Sequence, residues 1–413
     1  RGNAHPCFSA DAKHTHSRIH VPVAPKCNIQ CNYCNRSYDC VSESRPGVTS
    51  SVLEPWQAER YTAELVANDP AVSVVGIAGP GDALANAAET LETMQLVHAA
   101  HPGMMLCVAT NGLALPANAD ALADAGVSHV TVTVNAVNPD IGKWLYAWVR
   151  DGKNVLRGRA AAELLWARQS EGIRKLVARG VTVKVNTIVV PGINEDHVGA
   201  VAAACKELGA TIHNCMAMMP VAGAEFADVP QPSSEEMAKA RAAAAEHLPQ
   251  MEHCQRCRAD AVGRIGDTMG AAQFTVLERH AASARPGRRY VAVASQEGMF
   301  VNRHLGEADE LLIYGQEDGV LKQVGVRRTP EAGNGSARWH DLADLLEDCR
   351  ALLVSGIGPA PSEVLRASGI RVFETEGLLE ELVAKAYAGG EIRRMSKPFK
   401  CGDGCGGNAK GCA

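Results

Sequence analysis

The sequence predicts an α/β chain: a partial TIM barrel of the (β/α)6 type, followed by a smaller α/β domain. Three observations lead there. Strand-like apolar runs alternate with helix-period segments from residue 55 to 248, the order that a parallel sheet with helical crossovers requires. The periodic signal fades into AASARPGRR (281–289), and a second alternating series then begins. The length, 413 residues, exceeds the size at which a single core usually divides.

Taken in order, PWQAERYTAELVAND (55–69) has helical spacing, and SVVGIA (73–78) reads as a strand stopped by GPGD (79–82). ALANAAETLETMQLVHAAH (83–101) reads as a helix, MLCVAT (105–110) as a buried strand, and Asn111-Gly112 as a turn. PANADALADAG (116–126) carries proline early and glycine last, the polarity of a helix. HVTVTVN (129–135) is a strand, and a longer helix covers about 160–179, ending at Gly180. VTVKVNTIVV (181–190), EDHVGAVAAACKELG (195–209), TIHNCMAMM (211–219) and SSEEMAKARAAAAEHL (233–248) continue as strand, helix, strand and helix. In the second series YVAVAS (290–295), LLIYG (311–315), ALLVSG (351–356) and IRVFET (370–375) are strands. WHDLADLLEDC (339–349), SEVLRASG (362–369) and GLLEELVAKAYAGG (377–390) are helices. The expected division is therefore 1–270 for the barrel, 271–288 as linker, 289–390 for the second domain, and 391–413 as a glycine- and cysteine-rich tail.

Composition narrows the function. Apolar content of 46% and charged content of 21% suit a globular chain. A net charge of −5 gives no footprint for nucleic acid or an acidic membrane. No apolar run approaches the roughly 18 residues of a membrane helix. The opening RGNAHPCFSADAKHTHSR lacks the apolar core of a secretory signal. Fourteen cysteines are many, and they cluster: Cys7, Cys27, Cys31, Cys34 and Cys40 early, Cys254 and Cys257 as a C-x-x-C, and Cys401, Cys405 and Cys412 in the tail. Clustering in a large α/β chain points to metal or redox work in a reducing compartment, the cytoplasm.

CNIQCNYC (27–34) places three thiols in eight residues, with Tyr33 before the last. A four-iron cluster usually takes four thiolates, so three leave one iron open to chelate S-adenosylmethionine. The plainer alternative is a structural zinc site, which more often uses paired C-x-x-C units. Polar residues at strand ends mark where a site should lie, because ligands in barrels bind at the C-terminal ends of strands. Asn111, Thr133, Asn135, Asn186 and Ile188 lie at or near strand ends, placed to line a pocket there. GIAGPGD lets backbone approach closely.

HPCFS (5–9), RIHVPVAPKCNIQCNYCNRSYDC (18–40), ESRPGV (43–48), GIAGPGDALAN (76–86), ATNGLALP (109–116) and HCQRCRADAVG (253–263), in that order, resemble the NifB family within the radical S-adenosylmethionine superfamily. The second domain is similar to the NifX/NafY-type cluster-binding domain. The resemblance implies a maturase that starts the nitrogenase iron–molybdenum cofactor by fusing two four-iron clusters with carbide insertion. It implies Cys27, Cys31 and Cys34 as ligands of the radical cluster, which binds S-adenosylmethionine. It maps two further four-iron clusters, as substrates, onto Cys40 with Cys254 and Cys257, and onto Cys7 with Cys107 and a histidine. His5 is the favoured histidine because it stays beside Cys7, ahead of His14, His16, His20 and His253. Gly79, Pro80 and Asp82 match the stretch that contacts S-adenosylmethionine. Glu43 is either a proton acceptor or transient ligand, or a surface carboxylate paired to Arg45. Arg258 and Asp260 are expected to form an ion pair. His304 and His340 are candidates for holding a product cluster. Implied partners are iron–sulfur cluster donors, an electron donor, and downstream carrier or scaffold proteins. The rival readings are a radical enzyme of another pathway with auxiliary electron-transfer clusters, and a cluster carrier without catalysis.

Overall fold

The computed structural model describes residues 5–392, except 10, 45–46, 255, 268–269, 284–286, 318–319, 332–336 and 389–391. The expected tail, with Cys401, Cys405 and Cys412, lies outside the described residues. The chain forms two compact units, 1–281 and 282–413.

Unit 1 runs β1 (Ser17–His20), β2 (Ile29–Cys31), α1 (Pro55–Asn68), β3 (Val72–Ile77), α2 (Ala87–Ala100), β4 (Met105–Thr110), α3 (Leu115–Asp124), β5 (Val127–Thr133), α4 (Pro139–Gly142), β6 (Tyr146–Asp151), β7 (Asn154–Leu156), α5 (Gly158–Ala178), β8 (Thr182–Val189), α6 (Val198–Glu207), β9 (Ile212–Ala217), α7 (Ser234–Ala245), β10 (Val262–Gly263) and α8 (Ala271–Ala282). Six strands pair in parallel in the order β1-β3-β4-β5-β8-β9, and β10 closes the β1 edge antiparallel. This is the sheet of a partial barrel. Val75, Val108, Val130 and Val183 bury one face against the helices. Alternate residues of the same strands, among them Cys107, His129 and Lys184, face the other way. Local signals agree with the packing. Glu54 and Gln57 form a capping box at the start of α1, and Ser233 and Glu236 form one at α7.

Two sequence expectations are corrected. The supposed linker 271–288 contains α8, whose Leu277 is fully buried in the main core. Arg279 and His280 hold Glu64 on α1, the latter at 2.7 Å. Between 136 and 157, where no element was expected, the β6–β7 hairpin stands, and β6 pairs antiparallel with β2.

Unit 2 comprises β11 (Tyr290–Val293), β12 (Phe300–Val301), β13 (Glu310–Glu317), β14 (Val320–Arg328), α9 (Ala337–Leu345), β15 (Cys349–Val354), α10 (Pro359–Ala367), β16 (Arg371–Glu374), β17 (Gly377–Leu378) and α11 (Leu379–Ala388). Its mixed sheet has the order β14-β13-β11-β15-β16, with cores on both faces. The long hairpin partner β14 was not anticipated.

Candidate functional site

The three thiols of the 27–34 loop are held by its backbone. β2 pairs with β6, placing Cys31 opposite Tyr146. Asn32 N–H donates to the Leu145 carbonyl at 2.9 Å, and Cys34 N–H to the Cys31 carbonyl at 3.1 Å. The Gln30 amide donates to the Cys34 carbonyl at 2.7 Å. So anchored, Cys27, Cys31 and Cys34 line one cavity of about 430 Å³ with Tyr33, Arg36, Cys40, Ser42, Glu43, Asp82, Asn111, Thr133, Asn135 and Tyr146.

Several expected cofactor residues meet there as a hydrogen-bond network. Asn135 donates to the Tyr33 hydroxyl at 2.6 Å and accepts from Ile188 N–H at 2.9 Å. Tyr33 also meets Ser42 Oγ at 3.0 Å. Asn111 Nδ2 reaches Asn28 at 2.7 Å and lies 3.9 Å from Cys27 Sγ. The buried Gln169 amide donates to the carbonyls of Asn111 and Thr133, both at 2.8 Å, and fixes two strand ends together. Asp82 is spent locally: it accepts from the N–H groups of Leu84, Ala85 and Asn111 and from the Thr110 hydroxyl. Gly79, Pro80 and Ile188 are not among the lining residues, and Asn186 lines a second cavity instead. In the GPGD turn the closest approach is at Gly81. A Cβ there would stand 2.2 Å from the Lys26 carbonyl oxygen, one residue before Cys27.

The second cavity, about 520 Å³, is lined by Cys7, His20, Glu43, Lys184, Asn186, Asn214, Met251, Cys254, Arg256 and Cys257, among others. Glu43 lines both cavities. It is half-buried on the cavity walls, not a group of the outer surface. Thr133 donates to its carboxylate, Asn186 approaches at 3.5 Å, and burial raises its pKa to about 8. Arg45 lies outside the described residues.

The two cavities distribute the thiols between them. Cys254 and Cys257 face Cys7, whereas Cys40 lies on the wall of the first cavity. Burial raises the Cys40 thiol, and of the charges acting on it Glu43 comes before Cys34, Cys27 and Cys31. Cys107 lines neither cavity. It stands in register between Gly76 and His129 across the sheet. Burial pushes Cys27 and Cys107 up to about 12 and Cys7 to about 11. Such thiols ionise when a metal cation replaces the proton.

The histidines also sort themselves. His5 is buried, packs on Phe8 and His129, and accepts from Cys7 N–H through Nδ1 at 3.1 Å. In its neutral form the proton then sits on Nε2, which has no partner. His20 Nδ1 faces the Arg258 carbonyl at 3.0 Å, so Nδ1 carries the proton and Nε2 keeps its lone pair. His253 is occupied by the Pro6 carbonyl at 2.9 Å. The expected Arg258–Asp260 pair forms, at 2.6 Å, with Asp260 fully buried. Arg18, buried beneath the C-x-x-C, donates to Cys257 Sγ at 2.8 Å. In unit 2, His340 is exposed, and His304 lines a separate apolar pocket with Trp339.

Sequence reading missed Arg36, Ser42, Tyr146, Gln169, Arg18, Lys184 and Arg256. A signal existed for two of them. Asp151-Gly152 after an alternating run marks the hairpin that carries Tyr146. Lys184 is a lone charge inside VTVKVNTIVV.

Comparison with known proteins fits this geometry. The radical SAM superfamily matches residues 21–205, and the dinitrogenase iron-molybdenum cofactor family matches 288–389. The FeMo cofactor biosynthesis protein NifB of Chlorobaculum tepidum is 47% identical over 99% of this chain and 98% of its own length. The NifB of Klebsiella pneumoniae is 41% identical, over 89% of this chain and 86% of its own. The chain belongs to the NifB family. NifB of Azotobacter vinelandii, at 37% identity, aligns over 93% of this chain and 87% of its own. The solved structure of Streptococcus suis SuiB bound to S-adenosylmethionine covers 58% of this chain and 52% of its own, at 12% identity and a TM-score of 0.43. The superfamily match spans the 27–34 loop, Cys40, Glu43 and Lys184. The thiols Cys7, Cys254 and Cys257 fall outside it. Among the described residues, no helix is long and apolar enough to cross a membrane.

Proposed function

We propose that this chain fuses two four-iron clusters, with a carbide drawn from S-adenosylmethionine and one added sulfur, into the eight-iron, nine-sulfur precursor of the iron–molybdenum cofactor. The observation that carries the reading is a pair of thiol-lined cavities sharing one wall residue, Glu43.

The first cavity fits a resident four-iron cluster. Three unpaired thiols from one backbone-anchored loop reach it, and each is buried enough to need a metal cation before ionising. Cys27, Cys31 and Cys34 would hold that cluster. Bound there with S-adenosylmethionine, such a cluster would pass on one electron from an external donor for reductive cleavage of the sulfonium. Tyr33, Asn135 and Asn111 order the wall beside the loop. Gly79 and Pro80 shape the turn behind it, and Asp82 caps that turn. Thr133 and Asn186 orient Glu43, which at neutral pH holds a proton between the two cavities and can give or take one at its carboxylate.

The second cavity would take substrate iron–sulfur clusters through Cys7, Cys254 and Cys257. The imidazole ligand is His20 in preference to His5, because His20 already has the free Nε2 that metal binding requires. Cys40 serves substrate at the Glu43 wall, and Cys107 supports the seat from the strand floor. Cluster donors, an electron donor and downstream cofactor carriers are the partners this chemistry needs, in the cytoplasm.

The test is the Cys27→Ala/Cys31→Ala/Cys34→Ala variant, reconstituted anaerobically. It should lose one cluster's worth of iron and all S-adenosylmethionine cleavage while keeping the remaining clusters. Retained cleavage removes the loop assignment. Cleavage by the parent chain without cluster fusion assigns it to another radical pathway.

A further inference from the structure

Lys184 sits on β8, in register with Thr131 of β5 and Ile212 of β9, and is 6% exposed. Its flanking residues Val183 and Val185 face the helices, so the lysine points to the opposite side, where it lines the second cavity. Among the described residues it forms no ion pair with a carboxylate. Its ammonium finds only the Met251 thioether at 3.8 Å and the face of Phe8 at 5.1 Å. A thioether is a weak acceptor, so three strong N–H donors are left poorly satisfied. A buried ammonium in that state is costly unless something anionic arrives.

The surroundings point to the same missing partner. Arg256 lines the cavity too. It donates to the Ala217 carbonyl and keeps Nη1 buried without a partner. Its φ of +48° is the only left-handed one outside glycine among the described residues. Arg18 stands behind Cys257, with Nε also unpartnered. Against these cations the lining offers one carboxylate, Glu43. The cavity is built with positive charge in excess and thiols on the wall. An iron–sulfur cluster bound by thiolates carries net negative charge, and taking it out of water requires compensation.

We propose that Lys184 is a positioning residue of the second cavity, its buried ammonium being the counter-charge that holds an anionic iron–sulfur substrate against Cys7, Cys254 and Cys257. This rests on the reading of that cavity as a substrate seat. The ammonium donates N–H bonds to the cluster. It neither ligates iron nor exchanges electrons.

The experiment uses the full chain carrying Cys27→Ala, Cys31→Ala and Cys34→Ala, so that the radical loop binds no iron. The protein is reconstituted anaerobically with ferrous iron and sulfide, and iron release to a chelator is timed. Lys184→Met and Lys184→Gln should lose iron roughly 10-fold faster or more, and Lys184→Arg should stay near the parent. The metal-free Met variant should unfold no earlier than its parent, because it removes an uncompensated buried cation. Parental iron retention in both neutral variants would overturn the proposal, as would earlier unfolding of the metal-free Met variant. Cys254→Ala/Cys257→Ala separates the two claims. If that variant keeps all its iron, the seat itself is misassigned; if it loses iron while Lys184→Met does not, only the lysine's role fails.

Discussion

Gly81→Ala should disable the turn that supports the radical loop. Gly81 is not in the left-handed region, so alanine meets no backbone penalty there. The whole cost is steric. The new Cβ would lie 2.2 Å from the Lys26 carbonyl oxygen, 2.7 Å from its carbon and 2.8 Å from the Ala24 oxygen. All three are backbone atoms and cannot rotate away. Relief means separating the 79–82 turn from the 24–26 segment. That strains Gly81 N–H to the Ala24 carbonyl, 2.6 Å, and Asp82 N–H to the Lys26 carbonyl, 2.8 Å. Overpacking costs about 1–3 kcal/mol and each lost bond about 1 kcal/mol, so roughly 3–5 kcal/mol is expected. Urea unfolding followed by tryptophan fluorescence should show the shift in the transition of unit 1. Anaerobic iron uptake by the adjacent Cys27 loop should fall with it. A variant within about 0.5 kcal/mol of its parent, the range of an ordinary surface substitution, would refute the steric argument.

Two further outcomes can be checked on the same protein. His213 is fully buried and burial lowers it to about 4, against about 6.5 when unfolded, so the unfolded chain takes up the proton first. Its share of stability is therefore complete above about pH 6.5 and drains as pH falls toward 4, amounting to about 2 kcal/mol by pH 5. His213→Gln should flatten that part of the pH profile of the urea midpoint, and an unchanged profile would discount it. Asn135→Ala leaves the buried Ile188 N–H without its acceptor and removes one of two partners of the Tyr33 hydroxyl. About 2 kcal/mol of thermal stability should go, with disorder of Tyr33 seen by NMR, whereas full stability would mean that water replaces the amide.

Legibility in the sequence depends on how local each feature is. Five of the six parallel strands were legible because burial on both faces writes runs rich in apolar and β-branched residues, bounded by turn residues. The sixth, SRIH at 17–20, is short and polar: His20 lines the second cavity and Arg18 donates to Cys257 on its wall. The 27–34 loop was legible because its three thiols, which line one cavity, are local in sequence. The second cavity was not, because its lining comes from segments around residues 7, 20, 43, 184 and 254, and pairing across such distances leaves no local mark. Adjacency to Cys7 favoured His5; the contact that orients His20 comes from a carbonyl 238 residues away, which no local pattern displays. Helix α8 was hidden by its C-terminal neighbours. Phe274, Leu277 and Ala281 keep helical spacing, yet the proline and glycine just beyond read as a linker.

That helix decides where the polypeptide can be divided. A shortened protein ending at residue 270 would uncover the hollow Leu277 fills and deprive Glu64 of Arg279 and His280. One ending at 283 would keep them. The seam of this two-part molecule lies a full helix later than its composition advertises, and trimming at the wrong side of it would look like a failure of catalysis when it is a failure of folding.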